Sequence, residues 1–145
     1  MTALILTGVD GSDTAAAAAQ KAADLASALG SRLHIICAYG RFEAETVGIG
    51  SDQLVLTNEA DAERIAAKVA AELRQSHPGL TISIAAANGK PGEALVREAE
   101  FMDADLIVVG NKRVQGVIRV FGSIARDVAA HASCDLYVVN THQRD

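Results

Sequence analysis

Two segments of the sequence combine glycines with polar or charged residues, a composition that suits binding of a small anion. They are residues 8–12 (GVDGS) and residues 110–123 (GNKRVQGVIRVFGS). Glycines let backbone N–H groups approach an oxyanion without interference from a Cβ atom. Gly122 and Ser123 would open a helix, where unpaired N–H groups favour phosphate. The second segment is therefore a candidate phosphate site; alternatively, its glycines only form turns and Ser123 only caps the helix.

Asp10 has two interpretations, because it stands between an apolar run and an alanine-rich segment. A carboxylate at this point often interacts with the start of the following helix. It can also accept hydrogen bonds from amino or hydroxyl groups of a ligand. Both roles are compatible if Ser12 or Asp13 caps the helix.

Patterns that would indicate catalysis are missing from the sequence. No G-x-S-x-G motif places Ser12 or Ser51 as a hydrolase nucleophile. Gly89-Lys90 is followed by Pro91 rather than Ser or Thr, so it is not a P-loop. The four histidines show no metal-ligand spacing: His34, His77, His131 and His142. We therefore expect no metal site and no enzyme, with slow ATP hydrolysis left open.

Length and composition predict one domain spanning residues 1–145. Half of the residues are hydrophobic but only 3% are aromatic. No apolar stretch is long enough to cross a membrane, and the N-terminus lacks the basic region of a signal peptide. We thus expect a soluble cytoplasmic protein, in which Cys37 and Cys134 act as small buried hydrophobes. The net charge of −5 argues against general nucleic-acid binding.

The hydrophobic pattern predicts alternating strands and helices. Strands are expected at 3–9, 33–39, 80–86, 105–109 and 135–139, and helices at 14–29, 58–75, 93–101 and 123–131. Residues 40–56 are interpreted as a long excursion of low order. Apolar strands that alternate with helices indicate an α/β fold, a doubly wound parallel sheet with helices on both faces. No helix follows the last strand, so we expect its outer edge to pair in a homodimer.

The chain resembles the universal stress protein family over essentially its whole length. The resemblance rests on residues 9–12 (VDGS), 89–91 (GKP) and 104–110 (ADLIVVG), and on the region from Gly122-Ser123 to Val138-Val139. It implies a five-stranded sheet in the order 3-2-1-4-5 and a dimer formed through the last strand, residues 135–139. It also implies a site for an adenine nucleotide.

The nucleotide motif of the family is only partly present. Nucleotide-binding members carry Gly, two residues, Gly, nine residues, Gly, then Ser or Thr. Gly110 and Gly122-Ser123 match this pattern, but Arg113 replaces the second glycine and eight residues separate it from Gly122. Arg113 either blocks the approach of the backbone to phosphate or supplies a guanidinium that binds it.

Carried over residue by residue, the resemblance implies four groups of contacts. Gly8, Val9 and Asp10 would face the adenosine, the main chain of Ala38 the adenine, Val109 and Gly110 the ribose and first phosphate, and Asn111, Lys112, Arg113, Gly122, Ser123 and Ile124 the phosphates. The expected function is a dimeric sensor or buffer in stress response. ATP is the first expected ligand, with or without Mg²⁺, and AMP and cyclic AMP come next. The alternative is an interaction protein with a vestigial motif, which contacts partners through its sheet edge and residues 40–57.

Overall fold

The computed structural model describes residues 3–40, 58–111 and 123–141, which form five strands and four helices in alternating order. The strands are β1 (Leu4–Val9), β2 (Arg32–Tyr39), β3 (Ile82–Asn88), β4 (Leu106–Gly110) and β5 (Asp135–Val139). The helices are α1 (Asp13–Leu29), α2 (Glu59–Ser76), α3 (Pro91–Met102) and α4 (Ser123–His131). The α/β class predicted from the sequence is confirmed. The predicted excursion at 40–56 lies, except for Gly40, outside the described residues.

The five strands form one parallel sheet in the order β3-β2-β1-β4-β5. This confirms the order implied by the family resemblance. β1 is central, and the direction of winding reverses between β1 and β4. The carboxyl ends of all five strands therefore meet at one edge, where doubly wound sheets bind ligands.

Two hydrophobic cores lie on opposite faces of the sheet. On one face, α1 and α2 cover β1 and β2 with a core rich in alanine. On the other, α3 and α4 pack against Leu6, Ile36 and Ile107. Strands buried on both faces explain why the sequence shows continuous apolar runs rather than alternation.

Helix boundaries follow from local capping. Ser12 caps α1, because its Oγ accepts a hydrogen bond from the Ala15 N–H at 3.1 Å. Gly30 ends α1 in the left-handed region at φ 68°, as glycine allows. Pro91 opens α3 two residues before the predicted start, since the missing proline N–H costs nothing at the first helical position.

The third strand is displaced by two residues from its prediction at 80–86. Leu80 is held in a turn, where its N–H donates to the His77 carbonyl at 3.0 Å. Pairing with β2 then continues as far as Tyr39 and Asn88. Across the described ranges, no helix has the length and apolar character needed to cross a membrane.

Candidate functional site

A crevice opens between β1 and β4 at the carboxyl edge of the sheet. The two strands pair only as far as Thr7 and Val108, although β1 continues to Val9 and β4 to Gly110. By contrast, β1 pairs with β2 as far as its own last residue, Val9, and β4 pairs with β5 as far as its last residue, Gly110. The central strands therefore separate at the point where the strand order reverses, which is where ligands enter such sheets.

Thr7 marks the inner limit of this crevice. Its side chain is fully buried, and its Oγ1 donates a hydrogen bond to the Val108 carbonyl at 2.8 Å. Such a buried hydroxyl would be costly without a partner. The bond joins β1 and β4 at the last pair before they separate, so it fixes the point from which the crevice opens.

In the structure, one carboxylate oxygen of Asp10 interacts with the start of α1 and the other does not. Ser12 caps α1, while Asp10 Oδ1 accepts from the Ser12 N–H at 2.9 Å. Gly11 turns the chain at φ 89° between them. Asp10 is exposed, and its Oδ2 has no hydrogen-bond partner among the described residues. The carboxylate is thus held in place by one oxygen while the other faces solvent at the end of β1.

Gly110, the last residue of β4, lies close to Thr14 and Thr141. A Cβ atom there would lie 3.0 Å from Thr141 Cγ2, 3.3 Å from Thr14 Cγ2 and 3.4 Å from the Thr14 carbonyl oxygen. Each contact is at or below the ordinary van der Waals range, so a side chain would push against α1 and the residues after β5. The end of β4 therefore favours a residue without a side chain, because a Cβ atom would require Thr14 or Thr141 to shift by a few tenths of an ångström.

Asn111 is buried and has its side chain bonded within the protein. Its Oδ1 accepts from the Thr141 N–H at 2.9 Å and from Thr141 Oγ1 at 3.0 Å. Thr141 Oγ1 also lies 2.9 Å from the Asn111 carbonyl. Its main-chain N–H also donates to the Val139 carbonyl at 3.0 Å, so both the side chain and the main chain of Asn111, predicted as a phosphate ligand, join the ends of β4 and β5.

The sequence matches the model of a known family along nearly its whole length. The family model of the universal stress proteins matches residues 1–140. The chain belongs to the universal stress protein family. The resemblance noted from the sequence motifs is thereby confirmed.

Individual members of the universal stress protein family align along almost the full chain. Universal stress protein Rv1636 of Mycobacterium tuberculosis H37Rv is 30% identical over 148 residues, covering 94% of this chain and 95% of the relative. A crystal structure of a universal stress protein in complex with cAMP is 26% identical, with a TM-score of 0.74, and covers 97% of this chain and 98% of that one. A universal stress protein from Archaeoglobus fulgidus in complex with dAMP shares the fold, at 20% identity, a TM-score of 0.66 and coverage of 95% and 97%.

Other residues expected at the universal stress protein site point into the cores. Val9 and Val109 have their side chains buried in the cores on opposite faces of the sheet, so any contact they make with a ligand in the crevice would come from the main chain. Gly8 faces α3, where a Cβ atom would meet Leu95 at 3.3 Å. Ala38 is half-buried near the carboxyl end of β2, beside the end of β1.

Part of the predicted phosphate loop lies outside the described residues, namely Lys112, Arg113 and Gly122. Ser123 is the first residue of α4, and Ile124 packs its side chain on the core of α3 and α4. The N–H groups of the first helical turn have no acceptor within a helix. Ser123 and Ile124 can therefore offer backbone donors, as the family motif requires.

Cys37 lies next to the end of β1, where it is the register partner of Val9. Burial, and secondarily the negative charge of Asp10, raise the pKa of its thiol to about 11. Cys134 is half-buried, and burial also raises its pKa. Both thiols are therefore protonated near neutral pH, in keeping with the inert role expected for them.

His34 is buried between β2 and β3, away from the crevice. Its Nδ1 lies 2.6 Å from Ser83 Oγ, while its buried Nε2 has no hydrogen bond and lies 3.8 Å from Glu98 Oε1. Burial lowers the pKa of His34, against the opposing effect of Glu98. Within the three described ranges no group of three or more His, Cys, Asp or Glu side chains could hold a metal ion.

Thr14 and Thr141 were missed by the sequence analysis. Thr14 lies in the first turn of α1 and Thr141 two residues after β5. The signal for Thr141 was available, since polar residues that directly follow a strand of a parallel sheet reach the ligand edge.

Proposed function

We propose that this protein binds an adenine nucleotide in the crevice between β1 and β4. The observation that carries the proposal is the separation of β1 from β4 beyond Thr7 and Val108. Support comes from the structural relative with a TM-score of 0.74, which was crystallised in complex with cAMP. The role that follows is a sensor or buffer of the nucleotide in the cytoplasm, with binding rather than catalysis at the crevice.

The chemistry of the crevice divides between its two sides. On the β1 side, Asp10 Oδ2 can accept a hydrogen bond from a ribose hydroxyl or an amino group. On the β4 side, the close packing around Gly110 leaves the main chain as the ligand surface. The first turn of α4 adds N–H groups that have no acceptor within the helix and the positive end of a helix dipole, both of which favour phosphate.

Among adenine nucleotides, we propose cyclic AMP ahead of ATP, which was the first expectation from the sequence. The family motif for ATP depends on glycines that let the backbone surround several phosphates. This chain has Arg113 in place of one glycine and a loop shorter by one residue. A guanidinium pairs with a single phosphate group through two parallel hydrogen bonds, which suits a ligand with one phosphate.

Isothermal titration calorimetry tests both parts of the proposal. The purified protein, emptied of co-purified small molecules, is titrated with cyclic AMP, AMP and ATP, the last with and without Mg²⁺. We expect Asp10→Ala to weaken binding about tenfold or more, because a hydrogen bond to a charged group contributes about 1.5–3 kcal/mol.

Asp13→Ala is the matched control, because Asp13 carries the same charge in the first turn of α1. Loss of either carboxylate reduces repulsion of an anionic ligand, so Asp13→Ala should leave affinity unchanged or slightly raised. Equal losses in both variants would contradict the role of Asp10. No heat with any of the nucleotides would reject the binding function, and tighter binding of ATP than of cyclic AMP would reject the choice of ligand.

We further propose that two copies associate through β5. β5 is an edge strand of the sheet, and Tyr137 on it is 39% exposed. An open apolar edge favours pairing with another strand. Light scattering should give the mass of a dimer, and Tyr137→Lys should shift it toward the monomer. A monomer for the unmodified protein at micromolar concentration would refute the dimer without affecting the nucleotide site.

A further inference from the structure

A surface groove lies at the opposite, amino edge of the sheet. An open groove of about 510 Å³ separates the carboxyl ends of α1 and α2 from the starts of β2 and β3. Its polar lining includes Ser27, Ser31, Arg32, Ser76, His77 and Thr81. This volume falls in the range of sites for small molecules. The groove is separate from the crevice between β1 and β4, so the proposed nucleotide site does not account for it.

Three side chains at this groove form a continuous hydrogen-bonded series. Ser76 Oγ lies 2.8 Å from His77 Nδ1, and His77 Nε2 lies 2.8 Å from Asp24 Oδ1. An ionised carboxylate can only accept a hydrogen bond, so Nε2 carries the proton of a neutral His77. Nδ1 of this tautomer is then an acceptor for the Ser76 hydroxyl, whose proton can also go to the Leu73 carbonyl.

The series is held by the ends of two helices. Asp24 comes from α1, and His77 directly follows α2, where its N–H donates to the Leu73 carbonyl at 2.7 Å. The imidazole is 12% exposed, whereas Ser76 is exposed to solvent and lines the groove. Ser76 Oγ also lies 3.2 Å from the Leu73 carbonyl, a longer contact than that to His77. A mostly buried base thus faces an accessible hydroxyl.

We propose that Ser76, His77 and Asp24 hydrolyse small carboxylate esters bound in the groove. A hydroxyl, a base within hydrogen-bond reach and a third group that orients the base are the signature of nucleophilic catalysis. Ser76 is the nucleophile, His77 the general base and Asp24 a positioning residue that fixes the tautomer of His77. The arrangement differs from the common triad in that the serine contacts Nδ1 and the carboxylate Nε2.

The reaction proceeds in two balanced steps. Ser76 Oγ forms a bond to the ester carbonyl carbon and passes its proton to His77 Nδ1, and the alcohol leaves with that proton as its C–O bond breaks. Water then attacks the acyl group on Ser76 while His77 takes a proton from it. The acid leaves as the serine oxygen regains that proton. Arg32 lines the same groove, and its positive charge would favour the oxyanion that forms in both steps.

Hydrolysis of p-nitrophenyl acetate by the full-length protein tests this proposal. We expect Ser76→Ala and His77→Gln each to lower kcat/KM at least about tenfold, since general-base catalysis contributes roughly 10²-fold or more. Asp24→Asn should lower kcat and leave KM unchanged, a split that a purely structural role would not produce. Ser133→Ala is the matched control and should keep the full rate, because Ser133 is exposed and does not line the groove.

A covalent probe identifies the nucleophile independently of the rates. Diisopropyl fluorophosphate should add to Ser76, as read by mass spectrometry of the intact protein and its peptides, and Ser76→Ala should remove the adduct. Circular dichroism melts confirm that each variant is folded; if His77→Gln unfolds, Ser76→Ala and Asp24→Asn still decide. A wild-type rate in folded Ser76→Ala, or an adduct on another residue, would overturn the proposal. Neither outcome bears on nucleotide binding at the other edge.

Discussion

Gly92 is the residue whose replacement should most directly disturb the packing of α3 against α4. It lies in the first turn of α3, where a Cβ atom would be 2.6 Å from Asp127 Cβ and 3.0 Å from Asp127 Oδ2. The first of these atoms sits next to the backbone of α4 and cannot rotate away. Gly92→Ala must therefore separate the two helices by roughly 1 Å to restore van der Waals contact.

Two opposing effects set the size of the loss. Forcing an extra methyl group into a packed interface costs about 1–3 kcal/mol. Alanine in place of glycine returns up to about 1 kcal/mol of helix propensity, and less in a first turn. We expect Gly92→Ala to lower the free energy of unfolding by about 1–2 kcal/mol, which corresponds to a fall in Tm of about 2–8 °C for a domain of this size.

Thermal and urea unfolding followed by circular dichroism measure this change. Gly79→Ala is the matched control, because no atom lies within 4 Å of its Cβ position. Asp127→Gly should rescue Gly92→Ala in the double variant, whereas Asp127→Ala, which keeps the Cβ atom, should not. If Gly92→Ala is as stable as the unmodified protein, or if Asp127→Ala rescues it equally well, the steric argument fails.

Three further predictions concern other parts of the fold. Iodoacetamide near neutral pH should modify half-buried Cys134 before Cys37, because the thiol of Cys37 is buried and has a pKa of about 11. Peptide mass spectrometry measures which of the two cysteines is alkylated first. Burial lowers the pKa of His34 in the folded protein below its ordinary value of 6.5. As the pH falls below 6.5, the unfolded chain therefore takes up a proton at His34 before the folded protein does, and the free energy of unfolding decreases. In urea unfolding, His34→Gln should reduce this loss and exposed His131→Gln should not. Asn58→Ala removes the cap of α2, whose Oδ1 accepts from the Asp61 N–H at 2.8 Å, and should cost about 1 kcal/mol by urea unfolding.

The elements of the fold were predictable because each has a strong local signal. Five apolar runs became the five strands, and Gly30 and Pro91 marked helix ends through their own backbone constraints. The start of β3 was not predictable, because Leu80 is apolar yet belongs to a turn closed by His77. Strand order entered through the family resemblance, since periodicity alone does not say which strands are neighbours.

The candidate sites were predictable only where their residues are close in sequence. The composition of residues 8–12 identified them as a candidate binding segment, and the rule that doubly wound sheets bind ligands at the carboxyl ends of their strands placed them at the ligand edge. By contrast, the sequence does not show that the side chain of Asn111, predicted as a phosphate ligand, bonds to Thr141, 30 residues away. The pairing of His77 with Asp24 spans 53 residues and has no sequence pattern at all. Contacts of this kind follow from tertiary packing, which the local sequence does not encode.

The face of α1 that packs on the sheet consists of five buried alanines: Ala18, Ala19, Ala22, Ala23 and Ala26. Alanine has no side-chain rotamers, so this interface forms without loss of side-chain conformational entropy. For the same reason it cannot repack around a larger residue, and any added bulk must displace the helix as a whole. Such a displacement would carry Thr14 at one end of α1 and Asp24 near the other. A substitution on this face would therefore be felt at both edges of the sheet, although the face itself lies at neither edge.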